Sequence, residues 1–237
     1  SLLASGNTYT TPVLSATTSY YVETYGGVHT SGLTLNAAPS STGDPFNYYG
    51  NMFNVTSGND ALEITGFTVN SRLAGTQNVD IYYKSGSYVG LEQNPAAWTF
   101  VGSYSITGAG FRFVDCANFI LPANTTFGIY VNYNGRHLGS NNTYSNGDLT
   151  IDAGVGFIQE NAGAFSTPTS PRTFRGIVHY DKICSSERVE VVANGSGVSA
   201  PSEITGDDEL CIGSETELVA VLSALDVDEL VTWYEDE

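Results

Sequence analysis

Short runs in which hydrophobic and polar residues alternate dominate the chain, and Gly, Asn and Pro punctuate them. Ala61 to Asn70 puts Leu62, Ile64, Phe67 and Val69 on one side of a strand, with a break of phase at Gly66 that predicts a bulge. Gln77 to Lys84 repeats the pattern with Val79, Ile81 and Tyr83. In Trp98 to Thr107, Trp98, Phe100, Tyr104 and Ile106 alternate approximately. Asn51 to Val55, Phe111 to Cys116, Thr126 to Asn132, Leu149 to Ala153 and Phe174 to Tyr180 read as further strands. Ser57-Gly58-Asn59-Asp60, Ser85-Gly86-Ser87, Gly108-Ala109-Gly110 and Asn146-Gly147-Asp148 are turn signals, and Asn134-Gly135 is a strong hairpin dipeptide. No helical stripe longer than about two turns is present. Turns at roughly ten-residue spacing predict an all-β sandwich of jelly-roll type.

Two alternating runs frame this body. Thr18 to Thr24 is aromatic and β-branched, and Cys184 to Val191 alternates in the same way. Neither piece is long enough to bury a core alone. Their separation predicts a small sandwich whose last hairpin is split by an inserted domain. Residues 1–27 and 182–195 then form one discontinuous domain, and 28–181 the insertion. Gly26-Gly27 is the expected turn out of the first run, and 28–45 a Ser/Thr/Gly/Pro-rich approach to the insertion. Gly195 to Pro201 reads as a short linker. Residues 199–237 begin a further segment through Leu210-Cys211-Ile212-Gly213, Thr216 to Val221 and Val231-Thr232-Trp233-Tyr234. With no initiator Met and with strands at both ends, the chain reads as a piece of a longer polypeptide.

Charge narrows the partners. The 25 Asp and Glu outnumber the 8 Lys and Arg, for a net charge of −17. Neither a phosphate backbone nor an anionic lipid surface suits such a chain. Residues 199–237 carry 12 acidic side chains and no Lys or Arg, whereas 28–181 carry 10 acidic and 6 basic. The shift supports a boundary near residue 198. No apolar run has membrane-spanning length.

Candidate chemistry is sparse. His29, His137 and His179 are scattered, and no nucleophile elbow accompanies them. No catalytic residue is assigned, although a carboxylate pair of glycosidase type is a spatial feature that sequence leaves open. Asp207, Asp208 and Glu209, and separately Asp226, Asp228 and Glu229, offer oxygens for calcium. Neither cluster has the EF-hand spacing, and solvated acidic surface is the plainer reading, as it is for Asp148 and Asp152. No cofactor is otherwise expected. Tyr48, Tyr49, Tyr82, Tyr88, Trp98, Tyr133 and Tyr144 could stack on sugars or pack a core. Cys116, Cys184 and Cys211 show no metal-ligand spacing, and their odd number leaves at least one unpaired within the chain. Cys116 is expected to be a buried thiol.

Thr11-Pro12-Val13-Leu14 with Thr18-Ser19-Tyr20-Tyr21-Val22-Glu23 resembles the closing strands of Ig-like repeats in large cell-surface proteins of gliding, type IX-secreting bacteria. Those repeats continue into a Cys-Ser-x-x-Arg-x-x-Val strand, matched here by Cys184-Ser185-Ser186-Glu187-Arg188-Val189-Glu190-Val191. Leu210 to Gly213 with Val231 to Tyr234 resembles the opening of a next repeat. Gly50 to Phe53, Ile81 to Gly90, Asn94 to Trp98, Tyr144 to Leu149 and Ser170 to Phe174 are similar to a β module recurrent in secreted bacterial proteins.

The resemblance implies an extracellular, non-catalytic segment of a gliding-motility adhesin. Its expected partners are surface polysaccharide or a solid substratum, with outer-membrane anchoring or motility machinery engaged through other regions of the parent. It also implies disulfides from Cys184 and Cys211 to residues outside this chain, with a direct Cys184–Cys211 bridge as the rival. A carbohydrate-binding accessory region of a secreted polysaccharide-degrading enzyme is the alternative function.

Overall fold

In the computed structural model, which describes residues 9–14, 16–37, 46–157, 164–186, 189–193, 203–205 and 219–221, regular structure is β-strand apart from one 3-10 turn at Pro95–Ala97. The strands are β1 (Thr18–Val22), β2 (Tyr25–Asn36), β3 (Phe46–Ser57), β4 (Ala61–Ser71), β5 (Thr76–Ser85), β6 (Thr99–Thr107), β7 (Gly110–Leu121) and β8 (Thr126–His137). They continue with β9 (Tyr144–Ser145), β10 (Leu149–Ile151), β11 (Gly154–Phe157), β12 (Pro168–Arg172), β13 (Gly176–Ser185), β14 (Val189–Ala193), β15 (Glu203–Thr205) and β16 (Val219–Val221). Two compact units result: one covers 23–186, and the other takes in the described residues of 9–22 and 189–221.

The larger unit is a β-sandwich. One sheet has the order β6–β5–β8–β3, with β10 and β11 sharing the free edge of β3 and β12 beyond β11. The other has the order β7–β4–β13–β2. A single pairing, Ser71 with Gly135, joins the two sheets. Every ladder in this unit between named strands is antiparallel. Chain order across the sheets follows the double Greek key of a jelly roll.

Its core lies between the sheets. Leu62, Ile64, Phe67 and Val69 of β4 are fully buried, and the register against β7 shifts between Ile64 and Gly66, where the phase break predicts it. Phe53 stacks on Phe174 at 4.6 Å between ring centroids, and Phe67 meets the same ring edge-on at 6.5 Å. Tyr83 lies between Phe119 and Phe127, at 4.7 and 5.5 Å. Truncating one such Phe to Ala costs about 3–5 kcal/mol.

Three local expectations are corrected. Asn134-Gly135 forms no hairpin: β8 runs through both residues, which pair with Tyr49 and Tyr48 of β3. Gly135 serves a close approach instead, because a Cβ there would collide with the ring of Tyr133. Gly26-Gly27 and residues 28–36 are not turn and approach but strand β2. Its side chains are almost all exposed, so it has no hydrophobic alternation to read and owes its form to pairing with β13. Finally, Cys184 to Val191 is not one strand. β13 ends at Ser185 and β14 begins at Val189, so 23–27 and 182–186 belong to the jelly roll. Its chain ends meet where Ser186 N donates to Thr24 O at 2.9 Å and Thr24 N donates to Ser186 Oγ at 3.0 Å.

In the smaller unit β1 and β14 pair antiparallel, from Thr18 opposite Ala193 to Val22 opposite Val189. The first framing run and the end of the second, Val189 to Val191, are therefore neighbours in one ladder although far apart in sequence. Tyr9 packs against Tyr20 at 5.5 Å. β15 and β16 form a second two-stranded ladder.

Candidate functional site

The sheet built from β6, β5, β8 and β3 carries a second apolar cluster on its outer face: Met52, Tyr88, Trp98, Tyr130, Val155 and Phe157. The β5–β6 connection folds over it. Trp98 Nε1 donates to Leu91 O at 3.0 Å, and Tyr88 N donates to Asn54 Oδ1 at 3.1 Å, which ties the loop to β3. Phe165 adds an edge-on contact to Tyr130 at 5.0 Å.

Towards β6 this cover stops, and aromatic surface comes into the open. Tyr82 is half-buried, 5.6 Å from Tyr130 in a stacked arrangement and 5.0 Å from Phe100. Phe100 is 55% exposed on the edge strand. Beside the rings runs a polar line: Ser103 Oγ donates to Asp80 Oδ1 at 2.6 Å, Asn132 Nδ2 donates to Asp80 Oδ2 at 3.2 Å, and Tyr130 OH donates to Asn132 Oδ1 at 3.2 Å. Burial, and then the Asp80 charge, raises the Tyr82 phenol above its ordinary range. It therefore stays a hydrogen-bond donor at neutral pH. Exposed rings next to oriented carboxylate and amide groups can stack on the apolar face of a pyranose while accepting and donating at its hydroxyls.

Of the seven aromatic candidates, Tyr82 alone is placed on this open rim. Tyr88, Trp98 and Tyr133 are buried in packing. Tyr49 and Tyr144 are half-buried elsewhere, and the side chain of Tyr48 lies outside the described residues. Sequence does not single out Phe100, because its alternation with Tyr104 and Ile106 suggests a shared inward face. A register shift of β6 against β5, between Ile81 and Tyr82, breaks that phase. Tyr104 and Ile106 reach the core, whereas Phe100 turns outward onto Tyr82. Asp80, Ser103 and Asn132 leave no signal, since isolated polar residues on strands are ordinary outward positions.

The other candidates stay apart. His137 is fully buried against Tyr133 at 5.4 Å, and burial together with the nearby Arg172 pushes it down to about 3. His179 Nε2 is 2.8 Å from Thr68 Oγ1, and Phe113 meets its ring edge-on at 4.9 Å. His29 and Cys184 line a cleft of about 300 Å³ with Asp60 and Lys182. Lys182 is held there between Asp148 and Asp60, at 2.6 and 3.0 Å, and those two carboxylates raise its pKa.

Cys116 is a buried free thiol, pushed up to about 11 by burial and then by Asp115. Cys184 is free and exposed on β13, opposite Gly26. Asp152 accepts from Thr143 Oγ1 at 3.0 Å. No group of three or more His, Cys, Asp or Glu suited to a metal occurs among the described residues. Cys211 and the clusters Asp207 to Glu209 and Asp226 to Glu229 lie outside them.

In comparisons with known proteins, no family model and no characterised protein matches the chain.

Proposed function

We propose that this chain is an adhesive segment of a long exported cell-surface protein, in which a jelly-roll body inserted in an Ig-like repeat holds a surface polysaccharide without catalysis. The observation that carries the reading is the open Phe100–Tyr82 pair beside the Asp80–Asn132 line. Insertion is favoured by two closures of the chain: the jelly roll's own ends are hydrogen-bonded at Thr24 and Ser186, and the flanking strands meet at Val22 and Val189. For a binding role, Ser103 and Asn132 hold the Asp80 carboxylate in a fixed orientation beside the open rings, where it can accept from a ligand hydroxyl.

An accessory region of a polysaccharide-degrading enzyme would use the same face. Specificity separates the two. A polysaccharide array probed with the whole chain is expected to show broad, weak binding that Phe100→Ala abolishes. Tight binding to one defined polymer would favour the accessory role. Binding indifferent to Phe100, or release of reducing ends from a bound polymer, would remove the proposal.

A further inference from the structure

We propose that the polymer held on this face is anionic, with a carboxylate or sulfate group engaging Arg136; the inference rests on the reading of Tyr82 and Phe100 as the stacking surface. Along the outer half of β8, Asn132, Asn134 and Arg136 are half-exposed and alternate with the buried Tyr133, Gly135 and His137. Alternate residues of a strand share a face, so Arg136 stands on the same side of the sheet as Asn132. Four residues at about 3.3 Å each put it about 13 Å along the strand from the Asp80–Asn132 pair. An extended oligosaccharide stacked at Tyr82 and following β8 would bring a later residue over the guanidinium. Arg136 forms no ion pair among the described residues. A guanidinium presents paired donors that match carboxylate or sulfate oxygens.

The distribution of charge supports an anionic ligand. The chain's net charge of −17 disfavours a polyanion overall, so uptake must be local. Of its 8 Lys and Arg, five gather at one end of the jelly roll. Arg136 lies opposite Asn47, Arg112 opposite Val69, and Arg72 N donates to Asn134 O. Arg172 and Arg175 flank Thr173, which bridges to Leu138 just beyond β8. The polar line thus runs from a carboxylate at Asp80 towards the end of the jelly roll where, among the described residues, these five arginines lie.

The test is the affinity of the whole chain for alginate, polygalacturonate and dextran sulfate against dextran and a neutral β-glucan, at low and high salt, for the wild type, Arg136→Gln and Phe100→Ala. Wild type is expected to prefer an anionic polymer and to lose that preference in salt. Arg136→Gln should weaken anionic binding about tenfold and leave neutral binding unchanged, as loss of one charge-assisted contact predicts. Phe100→Ala should abolish both. Binding that Phe100→Ala abolishes but Arg136→Gln leaves intact would overturn the anionic ligand while sparing the stacking surface. No binding to any polymer, or binding indifferent to Phe100, would overturn both.

Discussion

Phe100 and His137 are opposite cases of what burial does to a side chain. Phe100 is 55% exposed, so its ring contributes little to the fold and is available to a ligand. Phe100→Ala should change stability by no more than about 0.5 kcal/mol, read as the urea midpoint, while polysaccharide binding falls. A large loss of stability would mean that the ring is structural. His137 is fully buried and held neutral, with a folded pKa of about 3, against about 6.5 in an unfolded chain.

The unfolded state therefore binds the proton more readily, and acid favours unfolding. The stability that neutral His137 supports is complete above about pH 6.5 and is lost as pH falls from there towards about 3, at roughly 1.4 kcal/mol per pH unit. Between about pH 6.5 and 5 the wild type should lose about 2 kcal/mol more than a His137→Gln variant. Parallel slopes for the two would contradict the buried neutral imidazole. Neither behaviour is legible in sequence, where Phe100 passes for a core residue and His137 for one scattered histidine among three.

At the scale of the element, sequence speaks clearly where a strand has one wet face and one dry one. The β4 pattern, including its bulge at Gly66, can be read directly because Leu62, Ile64, Phe67 and Val69 all face the core. β2 cannot be read, since Leu35 is its one buried residue and pairing alone defines it. Asn134-Gly135 misleads for a different reason. The dipeptide favours a turn locally, yet its Gly is required because the Tyr133 ring occupies the space of a Cβ. Gly135→Ala should then destabilise by about 1–3 kcal/mol, as overpacking does. The measurement is a denaturant melt, and a neutral substitution would show that the ring can move aside. The Asn146-Gly147 signal, by contrast, is a turn: Asn146 Oδ1 accepts from Asp148 N at 3.2 Å and Leu149 N at 3.0 Å, and Gly147 has a φ of 91°. Hydrogen exchange should rank the strands by position, slowest in β4, β8 and β13, which are paired on both sides, and fastest in the edges β2, β6 and β12. Faster exchange in β8 than in β6 would contradict the strand order.

For the whole molecule, alternation and turn spacing lead to the right class and to a jelly roll, because that topology is a succession of short two-faced strands. The larger unit extends a few residues beyond the expected 28–181, because β13 stays paired with β2 through Ile183 opposite Val28 to Ser185 opposite Tyr25. Residues 23–186 contain their own core and close on themselves at Thr24 and Ser186. Produced alone, that stretch should unfold in a single cooperative transition with the circular dichroism of β structure. A molten or aggregated product would mean that the body depends on the flanking strands.

The ladder between β1 and β14 has a mechanical consequence. Its register sets Thr18 beside Ala193 at one end and Val22 beside Val189 at the other. Tension along the polypeptide arrives at Thr18 and Ala193 together, the geometry of a zip and not of a lap joint, so the rungs open singly, in succession, under modest force. Until the last rung yields, the jelly roll, which lies between the two strands in chain order, carries no load. A single-molecule extension trace would therefore show an early, gentle opening and only afterwards the rupture of the sandwich. Rupture of the sandwich first would mean that force takes another route through the chain.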